Sequence, residues 1–280
     1  MIEIESAGIT DRGKKRKANE DSLFLADSLG LYVVADGMGG HVAGEVASKL
    51  VVETIEDYIK KSRMNGGQPD PVYFDKILSP AANQLLAGIY TSNKAVLEAS
   101  RDNKSYRGMG STVSAVYLTD GTLIAANVGD SPIYLIRDGK IKLLSVPHTV
   151  LAEQTALNPA NAAKLGMEFR HVLTRAMGTE ESVKADIYEI QCFKNDILVI
   201  SSDGLSDKAS PEEIRLLVDG NGSEAACQSL VDLANARGGD DNITAIVLKV
   251  KTVKNTPLGI RRLAAMVRRA FFKLTDRNQI

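Results

Sequence analysis

Leu31-Tyr-Val-Val-Ala-Asp-Gly37 is a run of apolar residues that ends in an Asp-Gly pair. The same ending recurs in Ile197-Leu-Val-Ile-Ser-Ser-Asp-Gly204, whereas Asp240-Asp-Asn-Ile-Thr-Ala-Ile-Val-Leu248 places its carboxylates directly before an apolar run. Short apolar runs bounded by turn residues are typical of buried strands. Each of these three strands carries a carboxylate at one end, and together they predict acidic groups gathered at one edge of a sheet.

Such a group of carboxylates favours a metal site, because crowded carboxylates repel one another unless a cation lies between them. The candidate ligands are oxygen atoms, namely the carbonyl of Gly37 and the carboxylates of Asp36, Asp130, Asp203 and Asp241. Hard oxygen donors favour Mg²⁺ or Mn²⁺ over zinc or copper. The alternative interpretation of any single Asp-Gly pair is a tight turn after a strand, the commonest use of that pair.

The composition is that of a globular chain with a sizeable core: 280 residues, 44% hydrophobic and 25% charged. A formal net charge of −1 gives no global field that would attract nucleic acid. The two cysteines lack C-x-x-C spacing, which argues against a thiolate zinc site and fits a reducing cytosol. An acidic N-terminus in place of a signal peptide, and the lack of an 18-residue apolar stretch, lead us to expect a cytoplasmic protein.

The periodicity of the apolar residues predicts an α+β fold. Strands and helices occur in blocks, which favours antiparallel sheets with helices packed on their outer faces. We predict strands over 2–10, 22–26, 31–35, 183–191, 196–201 and 244–250, helices over 43–60, 75–100, 211–218 and 223–236, and one antiparallel meander over 111–144. Residues 146–168 contain two prolines and predict an irregular or helical insertion.

Two further signals are ambiguous by themselves. The glycine-rich stretch from Asp36 to His41 precedes a predicted helix, as a phosphate cradle does, but it matches neither a P-loop nor a Rossmann turn. Arg16 lies in the basic run Lys14–Lys17, where its guanidinium is either a fork of donors for a phosphate or part of a solvated loop. Composition does not choose between these interpretations.

Seven motifs in order resemble the metal-dependent protein phosphatases of type 2C, the PPM family, in their compact bacterial form. They are Asp11-x-Gly-x-x-Arg-x-x-Asn-Glu-Asp21, Asp36-Gly-Met-Gly-Gly-His41, Gly108-x-Gly-Ser-Thr112, Gly129-Asp-Ser131, Leu173-Thr-Arg-Ala-Met-Gly178, Ser202-Asp-Gly204 and Gly238-Gly-Asp-Asp-Asn-Ile-Thr244. The resemblance covers residues 1 to about 250, so a phosphatase catalytic domain is expected over 1–250.

The resemblance implies a four-layer αββα sandwich, in which helices flank two antiparallel β-sheets and a dinuclear Mg²⁺ or Mn²⁺ centre lies at one edge. By motif position, Asp36 would bridge both metals and the Gly37 carbonyl would bind one of them. Asp203 and Asp241 would bind the other, and Asp203 would also contribute to a possible third metal. These four residues form the implied core of the centre.

The same resemblance assigns roles around the metals. Glu20 and Asp21 would hold metal-bound waters, Arg16 would bind the substrate phosphate, and Asp130 would help to bind the third metal. Residues 146–168 would form a flap beside the active site.

The implied reaction is hydrolysis of phosphoserine and phosphothreonine in proteins, by a hydroxide that bridges the two metals and without a phosphoenzyme, opposing Ser/Thr kinases. Eukaryotic relatives typically place a histidine directly after the Asp-Gly pair, where this chain has Met38. His41, which is nearby in the sequence, is a candidate acid for the leaving alkoxide, with a structural role at the helix start or a metal-bound water as alternatives. Two other functions stay open, a catalytically silent phosphoprotein-binding module and a metal-dependent hydrolase of small phosphate esters.

The C-terminal extension, residues 251–280, is strongly basic. It carries eight Lys or Arg and one acidic residue, and apolar residues between 259 and 274 recur on one helical face. A basic amphipathic helix there favours peripheral binding to an anionic membrane surface or to an acidic partner. The alternative is a terminal helix docked on the acidic body or on a second copy of the chain.

Overall fold

The computed structural model describes residues 2–40, 42–66 and 73–253. Eleven strands lie within these ranges: β1 (Ile2–Asp11), β2 (Asp21–Ala26), β3 (Leu31–Met38), β4 (Gly110–Ser111), β5 (Val113–Thr119), β6 (Thr122–Val128), β7 (Ile133–Arg137), β8 (Lys140–Leu143), β9 (Asp186–Gln191), β10 (Ile197–Ser201) and β11 (Ile243–Val253). Most of them coincide with the strands predicted from the periodicity.

Seven α-helices accompany these strands in the same part of the chain: α1 (Val42–Met64), α2 (Pro80–Asp102), α3 (Val150–Leu157), α4 (Pro159–Ala162), α5 (Asp203–Ser206), α6 (Pro211–Val218) and α7 (Ser223–Ala236). Helix α2 begins five residues later than predicted. Ser79 accepts a hydrogen bond at 3.1 Å from the backbone N–H of Ala82, and Pro80 at the first helical position fixes the start.

The strands form two antiparallel sheets. One has the order β2-β3-β5-β6-β9, with β4 paired to β3, and the other has the order β1-β11-β10-β7-β8. The predicted α+β fold with two antiparallel sheets is confirmed. Strands β1 and β11 pair from Ile2 opposite Val253 to Asp11 opposite Ile243, so the two ends of the described chain lie side by side.

Three apolar interfaces hold the sandwich together, and β3 shows how one strand serves two of them. Leu31, Val33 and Ala35 pack with helices α1 and α2, whereas Tyr32 and Val34 pack against the second sheet. Successive side chains of a strand point to opposite faces, so an unbroken apolar run is what a doubly covered strand requires. Helices α6 and α7 cover the outer face of the second sheet, which completes the four layers.

The predicted single meander over 111–144 is wrong, because the chain changes sheets between β6 and β7. The change occurs at Gly129, whose φ of +104° lies in the region that favours glycine. A Cβ there would approach within 2.6 Å of the Thr112 side chain, so the turn packs tightly against the first sheet. Strands β6 and β7 are apolar on both faces, so their sequence does not reveal which sheet they join.

The insertion over 146–168 is largely helical and contains α3 and α4. A 3₁₀ turn at Met167–Arg170 follows these two helices. Its two ends meet at a bridge between Thr149 and Leu173. Among the described residues, no helix combines the length and the apolar character that a membrane crossing needs. The predicted amphipathic segment over 259–274 lies outside the described residues.

Candidate metal centre

The four candidate aspartates line one open cleft of about 870 Å³ at an end of the two sheets. Asp36 lies near the end of β3, Asp203 follows β10, Asp241 precedes β11, and Asp130 follows β6. Strands β10 and β11 are antiparallel, with Ser201 opposite Ala245, so the end of one lies beside the start of the other. The topology thus brings together carboxylates that are far apart in the sequence.

Asp36 is held rigidly on the cleft floor. Its N–H donates to Thr112 Oγ1 at 3.0 Å, and its carbonyl accepts from the Thr112 N–H at 2.8 Å. Surrounding protein atoms desolvate the carboxylate and, with the charges of Asp21 and Asp203, raise its pKa well above the usual range. A nearby cation would therefore stabilise the ionised form of Asp36.

The protein compensates Asp130 and Asp203 only in part, through His171, whose Nδ1 lies 3.5 Å from Asp203 Oδ2. Burial, followed by the charge of Asp203, raises the pKa of Asp130 to about 7. Asp203 Oδ1 is buried and has no hydrogen-bond partner among the described residues. Partly compensated carboxylate oxygens beside an aqueous cleft are the donor set that divalent cations use, so these residues fit Mg²⁺ or Mn²⁺.

The end of β3 fits directly against the start of helix α1. The Gly37 N–H donates to the Glu20 carbonyl at 3.1 Å, and a Cβ on Gly37 would come within 2.0 Å of the Gly44 carbonyl. A Cβ on Gly44 would in turn lie 2.0 Å from Glu20 Oε2. Close backbone approach requires glycine at position 37, whereas a side chain at position 44 would meet the Glu20 carboxylate, which lies against the backbone of α1.

Asp21 lies behind the cleft rather than in its lining. It pairs with Asp36 across β2 and β3, and its Oδ2 accepts hydrogen bonds from Ser202 Oγ at 2.8 Å and Thr244 Oγ1 at 2.7 Å. Burial raises its pKa, and Oδ1 has no partner among the described residues. Any contact between Asp21 and a bound metal or its waters would therefore come from behind the four aspartates that line the cleft.

Arg16 reaches the cleft from the loop between β1 and β2. Its guanidinium donates to Asp241 Oδ2 at 2.7 Å, with the Arg16 side chain about half exposed. The loop is fixed by ion pairs of Asp240 with Lys15 and Lys208. The predicted phosphate-binding residue therefore lies at the predicted site, where it contacts a candidate ligand.

Three further residues complete the surroundings, and no role was predicted for them. Asn242 Oδ1 accepts from the Glu20 N–H at 2.8 Å and so joins two motifs. His171 and Asp207 both line the cleft, although no sequence motif singles them out. The only available signal for His171 is its position two residues before the motif that begins at Leu173. His41 lies outside the described residues, so its role as an acid stays a prediction.

Replacing Gly44 with alanine is expected to lower the phosphatase activity that the resemblance implies at least about tenfold, because the new methyl group displaces the Glu20 carboxylate. Gly88→Ala is a matched control in helix α2, since its Cβ would lie 3.6 Å from Tyr58, an ordinary contact distance. Gly88→Ala should keep full activity and gain up to about 1 kcal/mol in unfolding free energy from helix propensity. Equal activities of the two variants would contradict a contribution of the Glu20 carboxylate to activity. Steady-state kinetics and thermal unfolding make the comparison.

The αββα sandwich with oxygen donors crowded at the edge of its sheets defines a class, the metal-dependent phosphatases. The chain belongs to the protein phosphatase 2C family, whose family model matches residues 11–247.

Relatives and solved structures agree with this membership. A Streptococcus pyogenes protein named putative protein phosphatase 2C-type is 32% identical over 241 residues, which cover 84% of this chain and 93% of the relative. The crystal structure of the Mycobacterium tuberculosis serine/threonine phosphatase PstP/Ppp matches with a TM-score of 0.77 at 27% identity, covering 90% of this chain and 100% of that one. The PstP catalytic domain in complex with two manganese ions matches with a TM-score of 0.76 at 28% identity over the same shares.

Proposed function

We propose that this protein hydrolyses phosphoserine and phosphothreonine in proteins, with two Mn²⁺ or Mg²⁺ ions bound in the cleft. The observation that carries the proposal is the convergence of Asp36, Asp203 and Asp241 on one cleft, where a cation would stabilise the desolvated charge of Asp36. The similar PstP catalytic domain was solved with two manganese ions, which supports the number and kind of metals.

Four residues would hold the two ions. Asp36 would bridge them, the Gly37 carbonyl would bind one, and Asp203 and Asp241 would bind the other. When bound, two divalent cations lower the pKa of a water molecule and offset negative charge on the phosphoryl oxygens. The protein contributes rigid positions, since both backbone polar groups of Asp36 are hydrogen-bonded to Thr112.

Arg16 would bind the substrate phosphate. Its guanidinium can form two parallel hydrogen bonds to phosphoryl oxygens, and its half-exposed side chain lies beside the metal ligands. Substrate binding would exchange its contact with Asp241 for the phosphate. Glu20 and Asp21 would hold waters of the metal centre, with Glu20 braced by Gly44 and Asn242.

The cysteines supply no nucleophile for a phosphoenzyme route. Cys192 and Cys227 are both buried, and burial raises the pKa of each thiol to about 12, so neither is a thiolate at neutral pH. Neither residue lines the cleft. A direct attack of water on phosphorus, as the resemblance implies, needs no such group.

The metal ligands and Arg16 also argue against a catalytically silent binding module, which would have no need of the complete set. The cleft is open and about 870 Å³ in volume, large enough for a phosphorylated segment of a protein rather than only a small ester. A phosphoprotein substrate is therefore favoured over a small phosphate ester.

A direct assay distinguishes the three functions. We expect turnover of p-nitrophenyl phosphate and of a phosphothreonine peptide with Mn²⁺, and no turnover of either with EDTA. Restoring excess Mn²⁺ after EDTA should recover the activity, which controls for irreversible damage. If neither substrate turns over with Mn²⁺, the enzymatic function is wrong, and turnover of the small ester alone would favour the small-ester hydrolase.

We further infer a place in bacterial cytoplasmic signalling, in which the enzyme removes phosphate from Ser/Thr kinases and their targets. The bacterial origin of the similar phosphatases supports this place. The basic charge of residues 251–280 supports peripheral contact of this extension with an anionic membrane or an acidic partner. We predict that residues 1–250 form the catalytic domain.

A further inference from the structure

His171 lies among carboxylates at the edge of the cleft. Its Nδ1 is 3.5 Å from Asp203 Oδ2, and its Nε2 is 3.4 Å from Asp207 Oδ2. Asp130, His171 and Asp203 each offer one ligand atom, and these three atoms all lie within 4.8 Å of one another. Two carboxylates and an imidazole at this separation enclose a volume suited to a single cation.

We propose that His171 is a nitrogen ligand of a third cation, together with Asp130 and Asp203, and that it makes this site prefer Mn²⁺ to Mg²⁺. The proposal rests on the metal centre of the proposed function, because Asp203 belongs to both sites. It adds a ligand and a selectivity to a site for which the sequence motifs indicated only two aspartates.

The selectivity follows from ligand chemistry. Mg²⁺ is a hard ion that takes oxygen ligands in strict octahedral geometry and retains several of its waters. Imidazole nitrogen is a softer donor, and affinity for sites that contain it rises through the transition metals. Exchanging one water for the His171 nitrogen therefore stabilises bound Mn²⁺ more than bound Mg²⁺, while an oxygen-only pair of aspartates would discriminate less.

Contacts of the two residues adjacent to His171 in the sequence hold its backbone in place. Arg170 pairs with Asp207, and the backbone carbonyl of Val172 accepts from the Val150 N–H at 2.9 Å, at the base of the insertion. The imidazole is about half exposed, so it reaches both the cleft and the solvent from which an ion arrives. A cation on His171 would fasten the base of the insertion to the loop of Asp130.

A different role for His171, an ion pair with the neighbouring carboxylates, would produce the same distances. As a protonated imidazolium, His171 would neutralise Asp203 and Asp207 as an ion pair and would bind no metal. The two roles differ in what Asp207 does, because Asp207 is a partner in the ion pair but is not among the three grouped ligands. The pair of variants His171→Gln and Asp207→Asn therefore separates them.

The test is Mn²⁺ and Mg²⁺ titration of the full chain by calorimetry, with electron spin echo measurements of nitrogen coupling to bound Mn²⁺. We expect the wild-type protein to bind three Mn²⁺ and to show imidazole nitrogen coupling. His171→Gln should still bind two Mn²⁺ while its third binds at least about tenfold more weakly without that coupling, and its Mg²⁺ binding should change less than about threefold. Asp207→Asn should retain the third Mn²⁺ and the coupling.

Two results would overturn the proposal: third-site Mn²⁺ affinity in His171→Gln within about twofold of wild type, or an equal loss in Asp207→Asn. Thermal unfolding of each variant verifies that it is folded, and His171→Asn provides a second replacement if the glutamine variant is not. Absence of Mn²⁺-dependent peptide turnover in the wild-type protein would instead refute the proposed function, so the two failures are distinguishable.

Discussion

Asp36→Asn is expected to lower kcat for phosphothreonine peptide hydrolysis at least about 1,000-fold. The amide keeps the size of the side chain but removes the charge that would bridge two divalent ions, and a neutral amide is a weak ligand for both. The same change should raise the unfolding free energy of the EDTA-treated protein, because it removes a desolvated carboxylate that other aspartates repel. The combination of lost turnover and gained stability is expected of a desolvated carboxylate that serves as a metal ligand.

Asp138→Asn is the matched control for that variant. Asp138 lies in the turn between β7 and β8 with φ of +52°, a conformation that asparagine tolerates as well as aspartate. It should keep the activity and the metal affinity of the wild-type protein. Single-turnover kinetics and calorimetric Mn²⁺ binding measure both variants, and undiminished turnover by Asp36→Asn would refute the bridging role.

The second large effect concerns pH and metal removal. With EDTA, the protein is expected to be less stable at pH 8 than at pH 5, by about 2 kcal/mol or more, which corresponds to roughly 5 °C in Tm. The pKa of Asp130 is about 7 in the folded chain, and that of Asp36 is also raised well above its ordinary value, against about 4 for an aspartate in the unfolded chain. Between these values the folded state binds more protons than the unfolded state, so stability falls as pH rises.

Saturating Mn²⁺ should remove most of this pH dependence, because the bound ions compensate the ionised carboxylates. Burial lowers the pKa of His148, so this residue alone would make the folded state less stable as pH falls below about 6.5. One histidine opposes several carboxylates, so the carboxylates decide the direction of the pH dependence. Asp130→Asn provides the control, since without that carboxylate the slope in EDTA should decrease. Differential scanning calorimetry at the two pH values measures these differences, and a Tm in EDTA that is higher at pH 8 would contradict the sign.

Much of the candidate site was accessible from the sequence, because its candidate ligands are at the ends of apolar strands. The runs before Asp36 and Asp203 mark buried strands. A single Asp-Gly pair most often marks a turn, so the indication of a site came from the recurrence of a carboxylate at three strand ends. Arg16 was identified through its motif, and the structure places it 2.7 Å from Asp241. Local sequence patterns can predict a site residue when that residue lies at the end of a single recognisable strand.

Other features depend on contacts between distant segments. At the change of sheets after β6, Gly129 packs closely against Thr112, a contact between separate segments that periodicity does not encode. His171 approaches Asp203 only after the insertion folds back at Thr149 and Leu173. Residues of this kind have no local signature, because their roles arise from long-range contacts.

The antiparallel course of β11 sets the distance between the chemistry and the basic extension. The strand begins beside Asp241 at the cleft and runs for 11 residues to Val253, a length of about 35 Å at roughly 3.3 Å per residue. An attachment through residues 254–280 would therefore originate at the far end of the sandwich. An enzyme tethered in this way would present its open cleft away from the anchor, and the tether's length would decide which phosphorylated neighbours come within range.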